Sequence, residues 1–225
     1  MHKHEAILFA QIAQGVYINR FNLPDFQLTA TFENKGADTQ GVFGIAYSDR
    51  FVVAFRGSEE TGITDWITDL KFAQQVFPYE ESNNRKVKVH YGFIQAYKSV
   101  REAVLQAAKQ TAAKKIVVAG HSLGGALATL CALDLQYNTG KEVSCYTYGS
   151  PKVGNADFRA SYNRRVPQTY RFVNRFDIIP SLPPIGYRHV GQLYHLDKDS
   201  QEDAVVNRAL DHLPYNYINA VQLLA

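Results

Sequence analysis

Cysteine is scarce in this chain of 225 residues: there are two, alongside one methionine and one tryptophan. That number excludes a scaffold built on a disulfide framework. Cys131 falls in an apolar helical pattern and Cys145 in the strand-like Glu142–Tyr148. Both read as buried, unpaired small hydrophobes, with a Cys131–Cys145 bridge as the open alternative. No apolar run approaches the roughly 20 residues of a membrane-spanning helix, so no transmembrane segment is expected. The first residues, with Phe9, Ile12, Ala13 and Val16 on one side, pattern as an amphipathic helix rather than as a signal peptide. Compartment stays open between cytoplasmic and secreted with a leader removed. An excess of either charge is also missing, with 24 basic against 21 acidic residues and a net charge of +3. A loose basic cluster at Arg164, Arg165, Arg171 and Arg175 reads as a solvated face, because no nucleic-acid fold signature accompanies it.

What is present is ordinary globular material, 46% hydrophobic and 20% charged. A chain of this length is expected to form one domain over residues 1–225 and to bury about 70% of its unfolded surface. No repeat, low-complexity tract or linker interrupts it. Strands are expected at 27–32, 42–47 and 50–55, the last two joined by a tight turn at Ser48-Asp49. A long helix after His90 would carry Phe93, Tyr97, Val100 and Val104 on one face. Strand 142–148, a short helix near 155–162, strands at 168–173 and 188–196, and a terminal helix from about Leu213 complete the pattern. Alternation of strands and helices predicts an α/β fold, a mainly parallel sheet with helices on both faces and an antiparallel edge from the early hairpin. Functional groups should gather at the carboxyl ends of its central strands.

The densest chemical signal is Lys115-Ile116-Val117-Val118-Ala119-Gly120-His121-Ser122-Leu123-Gly124-Gly125, followed by the helical pattern Ala126–Leu133. Strand, Gly-x-Ser-x-Gly turn and helix in that order are the context that a nucleophile elbow requires. The turn puts the serine in strained backbone angles with its Oγ exposed. Gly120 and Gly124 then lack side chains because strand and helix must approach closely.

A serine hydroxyl needs a base within hydrogen-bond reach, itself oriented by a third group. In hydrolases built on such an elbow the chain order is Ser, acid, His, with the histidine on a late loop. His212 fits best, where a loop enters the last helix, and His195 is held in reserve. His121 adjoins the serine, so its side chain is expected to point away and pack beneath the turn. His90 reads as structural. Asp177, between Phe176 and Ile178 after the strand ending near Val173, is an odd place for a surface carboxylate. Its burial becomes acceptable if it accepts a hydrogen bond from an imidazole that turns cationic. Asp199, Asp203 and Asp211, in polar surroundings, are weaker candidates. A developing oxyanion needs two donors. The backbone N–H of Leu123 supplies one, and Ser58, in the Arg56-Gly57-Ser58 loop leaving strand 50–55, supplies the other.

Ala54-Phe55-Arg56-Gly57-Ser58, Val89-His90-Tyr91-Gly92-Phe93, Gly120-His121-Ser122-Leu123-Gly124-Gly125 and Asn174-Arg175-Phe176-Asp177-Ile178-Ile179-Pro180 together resemble the motifs of the class 3 lipases, the fungal-lipase-like branch of the α/β-hydrolases. Asp211-His212-Leu213 is similar to that family's terminal histidine segment. The resemblance implies Ser122, Asp177 and His212 as catalytic triad and Ser58 and Leu123 as oxyanion hole. It implies no metal or organic cofactor. Two cysteines cannot supply the disulfides common in secreted fungal members, and a compact chain leaves less rim for a deep acyl cleft.

Residues 60–70 hold Ile63, Trp66, Ile67 and Leu70 on one helical face and Thr64, Asp65, Thr68 and Asp69 on the other. This segment resembles the family's lid, which covers the site in water and turns its apolar face to lipid. The alternative is a fixed helix packing Trp66 on the core. The expected function is a serine carboxylic-ester hydrolase working through an acyl-enzyme on Ser122, foremost a triacylglycerol lipase acting on lipid or ester at a lipid–water interface. A phospholipase A1, an esterase for short or aromatic acyl groups, and a non-catalytic lipid-binding module are the rivals.

Overall fold

The computed structural model describes residues 2–58, 73–76, 86–196 and 210–224. Helix α1 (Lys3–Ile18) leads into strands β1 (Phe26–Asn34), β2 (Thr39–Ala46) and β3 (Arg50–Phe55). These three pair antiparallel. The β2–β3 connection turns at Tyr47 and Ser48, both at positive φ. Short strands β4 (Gln74–Val76) and β5 (Lys88–His90) form a separate antiparallel ribbon. Then follow α2 (Tyr91–Lys98), α3 (Arg101–Gln110), β6 (Lys115–His121), α4 (Leu123–Thr139), β7 (Glu142–Tyr148), α5 (Ala156–Arg165), β8 (Thr169–Asn174), β9 (Gln192–Leu196) and α6 (Pro214–Gln222). The main sheet has seven strands in the order β1-β2-β3-β6-β7-β8-β9. From β3 to β9 every neighbouring pair is parallel. This is the α/β-hydrolase arrangement, a mostly parallel sheet with an antiparallel edge.

Side chains on a strand alternate faces, so a strand covered on both sides must be apolar throughout. β6 shows this directly. Ile116 and Val118 pack with Phe93, Tyr97, Val104 and the Leu127–Leu135 stretch of α4, while Val117 and Ala119 pack with Phe9, Ile12 and Tyr217 on the other face. α1 buries Ala6, Leu8, Phe9, Ala10, Ile12, Ala13 and Gly15, a wider band than a single amphipathic stripe. It meets both the sheet and α6, and Val16 is left only partly buried. Cys131 and Cys145 are buried and free. Burial raises both thiols' pKa, that of Cys145 to about 12, so neither is a reactive thiolate near neutral pH.

Two elements depart from expectation. The helix after His90 breaks between Lys98 and Arg101, because the Ser99 hydroxyl donates back to the Ala96 carbonyl at 2.7 Å and Val100 leaves helical geometry. Asn34 also takes the Ser99 carbonyl out of the helix ladder at 3.2 Å. The apolar pattern survives the break, and Phe93, Tyr97, Val100 and Val104 are all buried. The strand expected from Arg188 begins only at Gln192. Gly191 stands at φ +69°, outside the β region, and Arg188 is bridged instead to Gly154.

Every parallel strand points its carboxyl end the same way. Loops after β3, β6, β7, β8 and β9 therefore meet along one rim of the sheet.

Candidate active site

Ser122 stands between β6 and α4 at φ +56°, ψ −128°, an angle pair that a residue with a Cβ rarely adopts. Two backbone bonds hold it there, its N–H donating to the Tyr148 carbonyl at 2.9 Å and its carbonyl accepting from Gly125 at 2.9 Å. Close packing of strand on helix makes the turn possible. A Cβ at Gly120 would come within 2.2 Å of the Gly124 carbonyl oxygen, and one at Gly124 within 2.4 Å of the Phe55 carbonyl oxygen. Backbone cannot give way as a side chain can, so both positions exclude any larger residue.

His212 ends a short 3₁₀ turn (Leu210–His212) just before α6. Its Nε2 is 2.8 Å from Ser122 Oγ and its Nδ1 2.7 Å from Asp177 Oδ2. A carboxylate only accepts, so Nδ1 carries the proton and Nε2 presents its lone pair to the serine hydroxyl. The Asp177 side chain is 0% exposed, which is tolerable because it is fully engaged. Oδ1 accepts from the Ile179 N–H at 2.9 Å, and Oδ2 accepts also from the Tyr217 hydroxyl at 2.6 Å. The structure thus brings Ser122, His212 and Asp177 into one hydrogen-bonded line from three loops on the same rim.

His195 is exposed, and its Nε2 bonds the Arg175 carbonyl at 3.1 Å, so it does not reach the serine. Asp211 is buried but works on backbone: its Oδ2 accepts from the Phe176 N–H at 3.2 Å, and its carbonyl accepts from Asn174 at 3.0 Å. His90 caps α2, its Nδ1 accepting from Phe93 at 3.4 Å. His121 turns away from Ser122 yet is more than filling. Its Nε2 lies 2.6 Å from the His212 carbonyl and its Nδ1 3.0 Å from the Tyr17 hydroxyl. The carbonyl requires Nε2–H, leaving Nδ1 to accept from Tyr17. Burial, then the neighbouring His212, hold its pKa well below the usual histidine range, so it stays neutral.

Leu123 is the first residue of α4, where backbone N–H groups have no acceptor within the helix. The Arg56-Gly57-Ser58 loop abuts Ser122: a Cβ at Gly57 would sit 3.2 Å from the Ser122 Cβ. Ile63, Trp66, Ile67 and Leu70 lie outside the described residues, as do Asp199 and Asp203. Among the described residues no group of His, Cys, Asp and Glu has the makings of a metal site.

Two contributors escaped the sequence reading. Gly149, at φ +61°, lies against the Asp177–His212 pair, and a Cβ there would meet Asp177 Oδ2 at 2.9 Å and His212 Nδ1 at 3.0 Å. Tyr217 sits in the apolar stripe of α6 with Ile218 and Val221 and reads as core, with no local mark of its second role. Besides donating to Asp177, its hydroxyl accepts from the Asn174 N–H at 3.0 Å. Its pKa is raised well above the usual tyrosine value, first by burial and then by the Asp177 charge, so it remains a donor. Tyr217→Phe should lower stability by about 1–3 kcal/mol, because a buried N–H loses its acceptor. Asp177, short of one donor, should then hold the imidazolium more strongly. The acid limb of the activity profile is expected to move to higher pH, and a limb that stays put or falls would remove Tyr217 from the site.

The sequence profile of the family described as Lipase (class 3) matches residues 52–187. The chain is 34% identical over 224 residues to a lipase of Rhizomucor miehei, covering 87% of this chain and 60% of that protein. It is 39% identical over 152 residues to secreted mono- and diacylglycerol lipase 1 of Fusarium solani, covering 65% and 44%. It therefore spans less than two thirds of the length of either relative. Its backbone superposes on the solved Rhizomucor miehei triacylglyceride lipase with a TM-score of 0.79 at 28% identity, over 97% of this chain and 95% of that one.

Proposed function

The chain belongs to the class 3 lipase family, and from that premise we propose that it is a serine carboxylic-ester hydrolase acting on acylglycerols. The observation that carries this reading is the unbroken line Ser122 Oγ–His212 Nε2 at 2.8 Å and His212 Nδ1–Asp177 Oδ2 at 2.7 Å, set on a positive-φ elbow. Ser122 attacks the ester carbonyl carbon while His212 Nε2 takes the hydroxyl proton. Asp177 holds the imidazole in the productive tautomer and stabilises its cation. The oxyanion is met by the Leu123 N–H and by Ser58. His212 then hands its proton to the departing alkoxide, leaving an acyl-enzyme and a free alcohol. Water, deprotonated by His212, releases the fatty acid and restores Ser122. The substrate is a lipid or ester at a lipid–water interface.

The test is fatty-acid release from emulsified triacylglycerol, compared with p-nitrophenyl esters of increasing chain length and with phosphatidylcholine vesicles. Release from the emulsion exceeding that from vesicles supports an acylglycerol lipase. Turnover confined to short soluble esters makes it an esterase, and release confined to the sn-1 chain of vesicle lipid makes it a phospholipase A1. No turnover together with no labelling by a fluorophosphonate would make it a binding module.

A further inference from the structure

The loop that carries Asp177 is held by two residues that take no part in the hydrogen-bonded line from Ser122 to Asp177. Four consecutive carbonyls of this loop accept from them. His189 Nε2 is 2.6 Å from the Pro180 carbonyl, and Lys152 Nζ is 2.6 Å from that of Ser181. The backbone N–H of Lys152 reaches the Leu182 carbonyl at 2.7 Å, and Nζ also reaches Pro183 at 3.3 Å. An ammonium spread over two carbonyls is a charge-assisted contact, stronger than a neutral one. Each carbonyl can only accept, so His189 must carry its proton on Nε2. Burial and the nearby Arg171 push the His189 pKa down to about 3, which keeps that arrangement over any ordinary pH.

The anchor itself is tied to the nucleophile. Lys152 follows β7, whose last carbonyl, on Tyr148, receives the Ser122 N–H. Between them, Gly149 touches the acid–base pair, and Ser150 packs so tightly on α4 that a Cβ at Gly125 would meet its own Cβ at 2.7 Å. The segment 148–152 therefore touches the serine at one end and grips the acid loop at the other.

We propose that Lys152, with His189, is a positioning residue that sets the distance from Asp177 to His212 by clamping the 180–183 carbonyls to the segment beside the nucleophile. This rests on the reading of Asp177 as the acid of the triad. A displacement of about 1 Å at such a group can cost a hundredfold in rate. The effect belongs on kcat, since the clamp acts through the placement of Asp177. It also belongs on the pH profile. Among the described residues, the charged or titratable groups at His212 and its carboxylate are Asp177, His121, Tyr217 and Asp211, and of these the clamp governs Asp177. Around Lys152 stand Arg171 and Arg188.

Lys152→Met keeps the length of the side chain and removes the ammonium. On a soluble p-nitrophenyl ester it should lower kcat about tenfold or more with KM near the parent's. Its acid limb should move to lower pH, because an imidazole farther from its carboxylate binds a proton less tightly. Lys152→Arg, which keeps a charged donor, should restore most of the rate. Lys152→Gln, with one neutral donor, should fall between and serves if the methionine variant does not fold. A folded Met or Gln variant with parental kcat and an unmoved acid limb overturns the clamp. So does a loss of melting temperature alone. Asp177→Asn separates the two readings. If it is nearly inactive while Lys152→Met matches the parent, only the clamp fails; if it is fully active, the assignment of the acid fails.

Discussion

Ser122→Ala should reduce ester hydrolysis by at least ~10³-fold while leaving circular dichroism and melting temperature close to the parent's. In the proposed mechanism Ser122 Oγ, 2.8 Å from His212 Nε2, is the atom that bonds to substrate, and loss of a triad nucleophile leaves only what binding and the oxyanion donors supply. Little stability rides on the hydroxyl, since the turn is held by the Ser122 backbone bonds to Tyr148 and Gly125 rather than by Oγ. The Ala variant should also lose labelling by a fluorophosphonate. Residual turnover above roughly a thousandth of the parental rate would mean that another nucleophile does the chemistry.

The second large effect concerns the base. His212→Ala is expected to be as inactive as the serine variant, because no other imidazole among the described residues reaches Ser122 Oγ. His195→Ala should keep near-parental activity, its ring being exposed and bonded to the Arg175 carbonyl. The parent should lose activity toward low pH as the base takes up a proton and can no longer accept one from the serine. That limb should follow a single proton. His121, which is buried, and His189, which is half-buried, have their pKa values pushed down by desolvation, the latter to about 3, and stay neutral across it. An inactive His195→Ala beside an active His212→Ala would reverse the assignment. A limb steeper than one proton would bring a second group into the mechanism.

Much of this site was legible before any coordinates. The elbow could be read because its determinants are local: an apolar strand covered on both faces, two glycines where backbone meets backbone, and a helix beginning at the next residue. Asp177 could be picked out because it lies between Phe176 and Ile178, yet both of those side chains are exposed and it is Asp177 itself that is buried. The histidine was harder. His195 and His212 both follow the acid in the chain, and only the chain-order rule separated them. In space they differ decisively, since β9 pairs with β8 in a register that places His195 opposite Val173 and turns it outward.

Where sequence patterns misled, a side chain or a distant contact had overridden a continuous period. The helix after His90 breaks at Ser99 although its apolar spacing runs on through Val104. Arg188–Gly191 has strand-like composition but is drawn toward Gly154 and Pro180 instead.

The sequence alone determined the Ser122 elbow, the strand–turn–helix that strains it, the loop that abuts it and the chain order in which Asp177 and His212 follow. Those depend on residue types a few positions apart, where backbone sterics and hydrophobic period act directly. Tertiary structure decided the rest: that His212 rather than His195 closes on Ser122, that Tyr217 donates to the acid, that Gly149 must be bare, and that Lys152 and His189 hold the loop that carries Asp177. Ser122 and His212 are 90 positions apart, and Tyr217 and Asp177 are 40. Contacts at that range are set by strand order and register, which bring loops to one rim of the sheet regardless of what any local stretch encodes.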